Sequence, residues 1–342
     1  MSDDLYSLKN NFYREFEDRF RGSTDLILER LHVYKPFVQP LIKIHKDDAL
    51  AIDLGCGRGE WLGFLTDLGF ICQGVDLDDG MLDECKKNGY NVRNMDALEA
   101  IQGLPDSSYS IISGFHIVEH IPFDILLQLV TESLRVLKPG GLLILETPNP
   151  ENVSVGSNTF YLDPTHTKPI PNLLLSFVAE FAGYNKVKTL RLQEDEAVFD
   201  REISLMDTFG ATSPDYSVVA QKNASPSILD EFKIPFEKNF GITIQELTSR
   251  YDAKREQKIN EINNQLIEAN RSIQHLIFEN EELEVSLIDE HKKLEVSLID
   301  EHKKLDSLIA NLNKRAKLGP LRIKQLFTHP KKFAAHFLGL NK

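Results

Sequence analysis

The segment AIDLGCGRGEW at residues 51–61 sets Asp53 two positions ahead of Gly55, with Gly57 and Gly59 after it. Glycines at such a turn let the backbone approach a ligand closely, and a helix opening just behind them adds positive potential. A dinucleotide-binding loop would need a third glycine where this chain has Glu60. Asp53 also argues against phosphate, because its carboxylate repels a pyrophosphate and attracts an ammonium group. Asp76, in GVDLDD, ends a second apolar run, followed by Leu77; an acid there can hold both hydroxyls of a ribose. Asp96, followed by Ala97, ends a third run, where a carboxylate can accept from an adenine amino group. One such acid is ordinarily just solvated. Three in succession beside a glycine turn predict a pocket for a nucleoside that carries positive charge and no phosphate.

A second set of residues suits proton transfer. His116 and His120 lie in SGFHIVEH, and Asp163 and His166 lie in LDPTH. An imidazole can take a proton near neutral pH. His166 is the expected base, with Asp163 orienting its other nitrogen and His116 as the second candidate. Asp163 and His166 are too few to hold a metal, and no further His/Asp cluster in the sequence completes a shell, so none is expected. Trp61, in the helix behind the glycine turn, is expected in the core. Phe12, Tyr13, Phe16 and Phe20 recur at helical spacing. They predict core packing, or else a lid that brings Arg19 and Arg21 to the pocket.

These residues need strand ends to hold them. Short apolar runs alternate with helical patterns from residue 1 to about 222, the signature of an α/β fold with a parallel sheet. Strands are expected near 50–54, 71–76, 90–96, 109–115, 141–146, 186–192 and 216–221. Helices are expected near 59–68, 79–88, 123–136 and 171–182, preceded by two more at about 8–20 and 24–44 with Ser23 as N-cap of the second. Residues 223–240 lose periodicity and include Pro226 and Pro235, which predicts a linker.

The period then changes. Ile259, Ile262, Leu266, Ala269, Ile273, Leu276, Asn280, Leu283 and Leu287 step by threes and fours, a heptad seam. The unit LEVSLIDEHKK then occurs twice, at 283–293 and 294–304. Eleven residues in three turns relax or reverse a left-handed supercoil. A rod of about 80 Å results, at 1.5 Å per residue. Its regular apolar seam predicts a coiled coil of identical chains, a dimer or trimer.

Charge divides the chain as well. The 342 residues carry 39 Lys and Arg against 52 Asp and Glu, a net −13, yet residues 314–342 hold eight basic residues and no acid. An acidic body excludes nucleic acid as a partner, whereas a basic tail mixed with Leu and Phe suits an anionic membrane surface or an acidic partner. No apolar run reaches the roughly 18 residues of a membrane span, and MSDDLYSLKN is unlike a signal peptide. Cys56, Cys72 and Cys85 form no CxxC pair, which predicts a reducing, cytoplasmic setting.

Residues of about 45–222, including LRVLKPGGLLILETPNP at 134–150, resemble the class I S-adenosylmethionine-dependent methyltransferases. S-adenosylmethionine fits the pocket described above, with an ammonium, a sulfonium and no phosphate. The resemblance implies a Rossmann-like seven-stranded domain. Gly55 and Gly57 beside Asp53 would hold the methionine part, Asp76 with Leu77 the ribose, Asp96 with Ala97 the adenine, and Arg21 would close the cofactor site. Glu119-His120 resembles a pairing common in that class, which implies a structural role.

A narrower likeness lies in FEDRFRGSTDLILERLHVYKPFV at 16–38 and TPNPENVSVGSNTFYLDPTHTKPIP at 147–171. With the rod and basic tail, these resemble methyltransferases of bacterial polysaccharide gene clusters, such as O-antigen chain terminators of the WbdD type. That likeness implies O-methylation of a sugar hydroxyl at the non-reducing end of a lipopolysaccharide O-antigen, which terminates the chain. Phe160 and Tyr161 would stack on the sugar, with His120 beside them. A membrane-bound glycosyltransferase would be the partner, and the protein would sit at the inner membrane as a peripheral protein. No kinase signature intervenes, so direct methylation is expected rather than a methyl-phosphate cap. The implied organisation is a methyltransferase domain with helical lid (1–222), linker (223–240), coiled coil (241–315) and basic amphipathic tail (316–342). The alternatives are a small-molecule or lipid methyltransferase with an unrelated stalk, and a non-catalytic scaffold.

Overall fold

The computed structural model describes Arg19 and residues 22–316. The expected helix at 8–20, Arg21 and the tail from 317 lie outside the described residues. The chain divides into two compact units, 1–255 and 256–342.

The first unit is built on a seven-stranded sheet. Its strands are β1 (Leu50–Leu54), β2 (Ile71–Asp76), β3 (Val92–Asn94), β4 (Tyr109–Phe115), β5 (Leu137–Pro148), β6 (Lys186–Leu192) and β7 (Asp215–Gln221). They lie in the order β3-β2-β1-β4-β5-β7-β6. The first five pair in parallel, and β7 runs antiparallel between β5 and β6. The sheet is therefore mixed.

Alternation along each strand feeds two cores. On β1, Ile52 and Leu54 pack with Val75, Ile112 and Leu143 under helices Ala97–Gln102, Phe123–Val136 and Asn172–Ala182. Ala51 points the other way, to a core shared with Phe37, Leu41, Trp61 and Leu65. Asp53 has the parity of Ala51 and sits at the carboxyl end, buried. Strand β3 is shorter than expected because Asp96 turns the chain into the next helix, its Oδ1 accepting from the backbone of Leu98 and Glu99 (2.9 and 3.1 Å). Ser23 caps helix Thr24–Leu31, its hydroxyl accepting from Leu26 N (3.3 Å). The helix expected over 24–44 breaks at a 3-10 turn, His32–Tyr34, and restarts as Lys35–His45 with Pro36 in its first turn.

The expected linker at 223–240 is instead part of this unit. It forms helices Pro226–Asp230 and Lys233–Glu237, with Phe232 wholly buried and Phe236 edge-on to Phe37. Pro226 opens the first of these helices, and Pro235 is buried within the second. Ile242 and Leu247 then pack with Val198 and Ile203.

A single helix spans Ile244–Ala316. Its residues 256–316 lie in the second unit and measure about 90 Å at 1.5 Å per residue. Seam residues such as Ile262, Leu276, Leu287 and Leu298 are 55–72% exposed. Within the chain this is a long amphipathic helix. No described helix is long and apolar enough to cross a membrane.

Candidate active site

The chain runs outward from β1 to β3 and then returns to lay β4 on the other edge of β1. Loops diverge at such a reversal and open a crevice beyond the carboxyl ends of the strands. A cavity of about 990 Å³ lies there, at the upper end of the roughly 300–1,000 Å³ usual for small-molecule sites. Asp53, Gly55, Gly57, Asp76, Leu77, Asp96 and Ala97 all line it.

Gly55 and Gly57 adopt φ of 70° and 52°, which a side chain would strain. The turn they make aims Gly57 N–H at Asp76 Oδ2 (2.9 Å), while Asp78 N–H donates to Asp76 Oδ1 (2.9 Å). Each oxygen is thereby fixed and keeps a lone pair for a ligand hydroxyl. Asp53 is oriented by Ser113 Oγ, which donates to its Oδ1 (2.7 Å) and accepts from Trp61 Nε1 (2.8 Å). Trp61 is buried as expected, but it also serves the site through this relay. Among the described lining residues, nine carry carboxylates and two are arginines, Arg30 and Arg191. Arg191 is paired with Glu151 (2.7 Å). This lining fits a cationic nucleoside and disfavours a phosphorylated one.

His116, His120, Asp163 and His166 line the same cavity, with Glu146 and Asp215. The His166 Nδ1–H donates to the Phe160 carbonyl (2.5 Å), which fixes the tautomer and leaves Nε2 as an acceptor. Asp163 does not orient that ring by a hydrogen bond. Its Oδ1 takes Thr165 N and Oγ1 (2.7 and 2.6 Å), and its Oδ2 lies 4.0 Å from His166 Nε2. Phe160 cannot stack on a substrate: it is 1% exposed and packs against His166 with ring centroids 4.5 Å apart. Tyr161 is exposed but does not line the cavity. Aromatic residues in a loop pointed to a platform, whereas here one of them supports the base from beneath. Burial lowers the His120 imidazole and keeps it neutral, with Nδ1 meeting Thr165 Oγ1 (3.0 Å).

His116 is a different case. Its Nδ1 donates to Glu119 Oε1 (3.2 Å), and its Nε2 lies 3.8 Å from Glu146 Oε1. Burial lowers it, but the hydrogen bond it donates to Glu119 and the charges of Asp215, Glu119 and Glu146 outweigh this and hold it at about 10. A histidine that stays protonated at neutral pH cannot act as the base, so the second candidate is withdrawn. Burial raises Glu146 to about 7, opposed by His116. Tyr34 OH donates to Glu146 Oε2, and Gln193 Nε2 donates to its Oε1 (3.0 Å). Burial also raises Asp215. Glu119 is lowered because its hydrogen bond and ion pair with His116 overcome burial. Ser113 and Glu146 fall inside segments quoted above, SGFHIVEH and LRVLKPGGLLILETPNP, but nothing in those segments marks them as site residues, and Asp215 lies outside both. Strand ends β5, β7 and β4 bring them here, and only pairing of the strands could have revealed them.

The sequence count of metal ligands missed this convergence. Among the described residues, two groups have ligand atoms within 4.8 Å of one another: His116, Glu146 and Asp215, and Glu119, His120 and His166.

A family model described as a methyltransferase domain matches residues 26–187. The chain is 31% identical over 139 residues to a probable S-adenosylmethionine-dependent methyltransferase of Mycolicibacterium smegmatis, over 41% of this chain and 53% of that protein. It is 28% identical over 130 residues to a ubiquinone biosynthesis O-methyltransferase of Methylococcus capsulatus, over 36% and 54%. The chain thus spans about half the length of these curated relatives. A crystal structure of a SAM-dependent methyltransferase from Archaeoglobus fulgidus matches with a TM-score of 0.54 and 29% identity, over 62% of this chain and all of that one. The first unit has the class I S-adenosylmethionine-dependent methyltransferase fold, and S-adenosylmethionine is its cofactor.

Proposed function

We propose that the protein is an S-adenosylmethionine-dependent O-methyltransferase whose acceptor is a sugar hydroxyl at the non-reducing end of a bacterial surface polysaccharide, an O-antigen. The observation that carries this reading is the hydrogen bond of His166 Nδ1–H to the Phe160 carbonyl, which leaves Nε2 as the ring nitrogen that can take a proton in the wall of the cofactor cavity. A hydroxyl needs such a base because it is a weak nucleophile while protonated. The cofactor supplies an electrophilic methyl on a sulfonium, which leaves as a neutral thioether. His166 Nε2 takes the hydroxyl proton as the oxygen bonds to the methyl carbon. Asp76 and the 55–57 turn hold the nucleoside, and the cavity walls fix the approach, from which most of the acceleration comes.

The wall formed by His116, Glu146, Gln193 and Asp215 favours a polyhydroxylated acceptor over a lipid or a quinone. An apolar acceptor would strip water from those groups and offer their remaining donor and acceptor positions no hydrogen bond in return. The seam of the long helix supports self-association as a dimer or trimer, since one copy leaves it open to water. In this reading the rod is a spacer toward a membrane-bound glycosyltransferase, and the basic residues of 314–342 hold the protein at the anionic inner face of the inner membrane. The test is transfer of a labelled methyl group onto synthetic oligosaccharides of the host's own polymer. A methyl ether on the terminal sugar supports the reading; transfer only to other acceptors removes it.

A further inference from the structure

His116 is ringed by carboxylates from three strand ends. We propose that His116 Nε2, a Glu146 oxygen and an Asp215 oxygen form a binding site for one divalent cation of the Mg²⁺ or Mn²⁺ kind, which the sugar's hydroxyls complete. This deepens the acceptor reading above and rests on it.

Three strand ends supply the ligands. His116 follows β4, Glu146 lies on β5 and Asp215 opens β7, so their spacing is set by the sheet. Their ligand atoms lie within 4.8 Å of one another, and His116 Nε2 is 3.8 Å from Glu146 Oε1. Bonds of about 2.1 Å place two ligands of one cation roughly 3–4 Å apart. The ring is also held the way metal-binding imidazoles are held. The Nδ1–H of His116 donates to Glu119 Oε1, Thr147 Oγ1 backs Glu119 Oε2 (2.8 Å), and Nε2 is turned to the other two acids. Tyr34 and Gln193 fix the Glu146 carboxylate, and His116 N–H is tied to the Glu146 carbonyl (2.8 Å). All three ligands line the cavity, and 46% of the His116 side chain is open to it. The cation takes the place of the proton that His116 Nε2 holds in its absence, and the imidazole and two carboxylates then leave positions vacant in an octahedral shell, where neighbouring hydroxyls of a sugar can bind.

The other group is less suited. Glu119 is wholly buried and does not line the cavity, so a cation held there would offer no open position to a hydroxyl of the acceptor. His166 instead stays free to receive the proton of the cation-bound hydroxyl. Binding to a divalent ion lowers the pKa of that hydroxyl and so divides the work between metal and base.

The test uses the full-length protein, stripped with EDTA and titrated with Mn²⁺ under electron paramagnetic resonance. One Mn²⁺ per chain is expected, with affinity reduced at least tenfold in Asp215→Asn and in His116→Ala, while S-adenosylmethionine binding by calorimetry persists in both. Should His116→Ala unfold, Glu146→Gln replaces it. No saturable Mn²⁺ binding, or equal binding in all variants, overturns the site. Methyl transfer to an oligosaccharide that is indifferent to EDTA also overturns it and leaves the methyltransferase reading standing. Intact Mn²⁺ binding without transfer to any sugar overturns the acceptor instead.

Discussion

The hydrogen bond from His166 Nδ1 to the Phe160 carbonyl makes this histidine, among the described ones, the residue expected to cost most in turnover. His166→Ala should lower the rate of methyl transfer by about 10²–10⁴-fold, the usual value of a positioned base, with cofactor affinity unchanged. Single-turnover kinetics beside calorimetry check this, and a loss of affinity instead would place His166 in the cofactor site. Asp76→Ala should weaken cofactor binding by about 10–100-fold, the range for losing hydrogen bonds to a charged group, with the fold retained. Unchanged affinity would mean that the ribose lies elsewhere. The cofactor residues were legible because they cluster at local motifs, a glycine turn and two strand-ending acids. The acceptor side was only half legible. His116, Asp163 and His166 could be named from residue type, but their roles depend on partners far along the chain: the Phe160 carbonyl fixes one ring, and Glu146 and Asp215 surround the other.

At the scale of elements, short continuous apolar runs located the strands well because both faces of the sheet are buried and each strand needs an apolar stretch. Boundaries failed where a side chain ended an element early, as Asp96 does after β3. The segment 223–240 failed for a different reason: its helices are too short to show a period, and they are held by Phe232. Phe232→Ala should therefore cost about 3–5 kcal/mol in chemical denaturation, where a linker residue would cost almost nothing. Helix Lys35–His45 carries a second test. Burial first, and then Lys138, lower the pKa of His45, whose Nδ1 meets Ser110 Oγ at 2.7 Å. A histidine held neutral in the folded state contributes stability that is full above about pH 6.5 and fades as the pH falls, because the unfolded chain takes up the proton more readily. The melting temperature should drop between pH 7 and pH 5, and the drop should be shallower in His45→Gln. Parallel slopes in the two proteins would exclude His45 as a contributor.

For the whole molecule, the central division is between a unit that holds chemistry and a helix that holds none. Deleting residues 294–304 removes one copy of LEVSLIDEHKK and three helical turns, so it keeps the apolar seam in register. Methyl transfer in solution and the oligomeric state by analytical ultracentrifugation should be unchanged, while polysaccharide length in cells should shift. Collapse of transfer in solution would show that the helix is more than a spacer. What everything else depends on is the charge preference of the cavity, where acids at the tips of β1 and β2 and at the helix after β3 face the ligand. The most direct measurement is a calorimetric titration of the purified protein with S-adenosylmethionine and, separately, with a pyrophosphate-bearing dinucleotide. The account predicts one saturable S-adenosylmethionine site per chain, weakened in Asp76→Ala, and no heat from the dinucleotide; saturable binding of the dinucleotide with none of S-adenosylmethionine would contradict it.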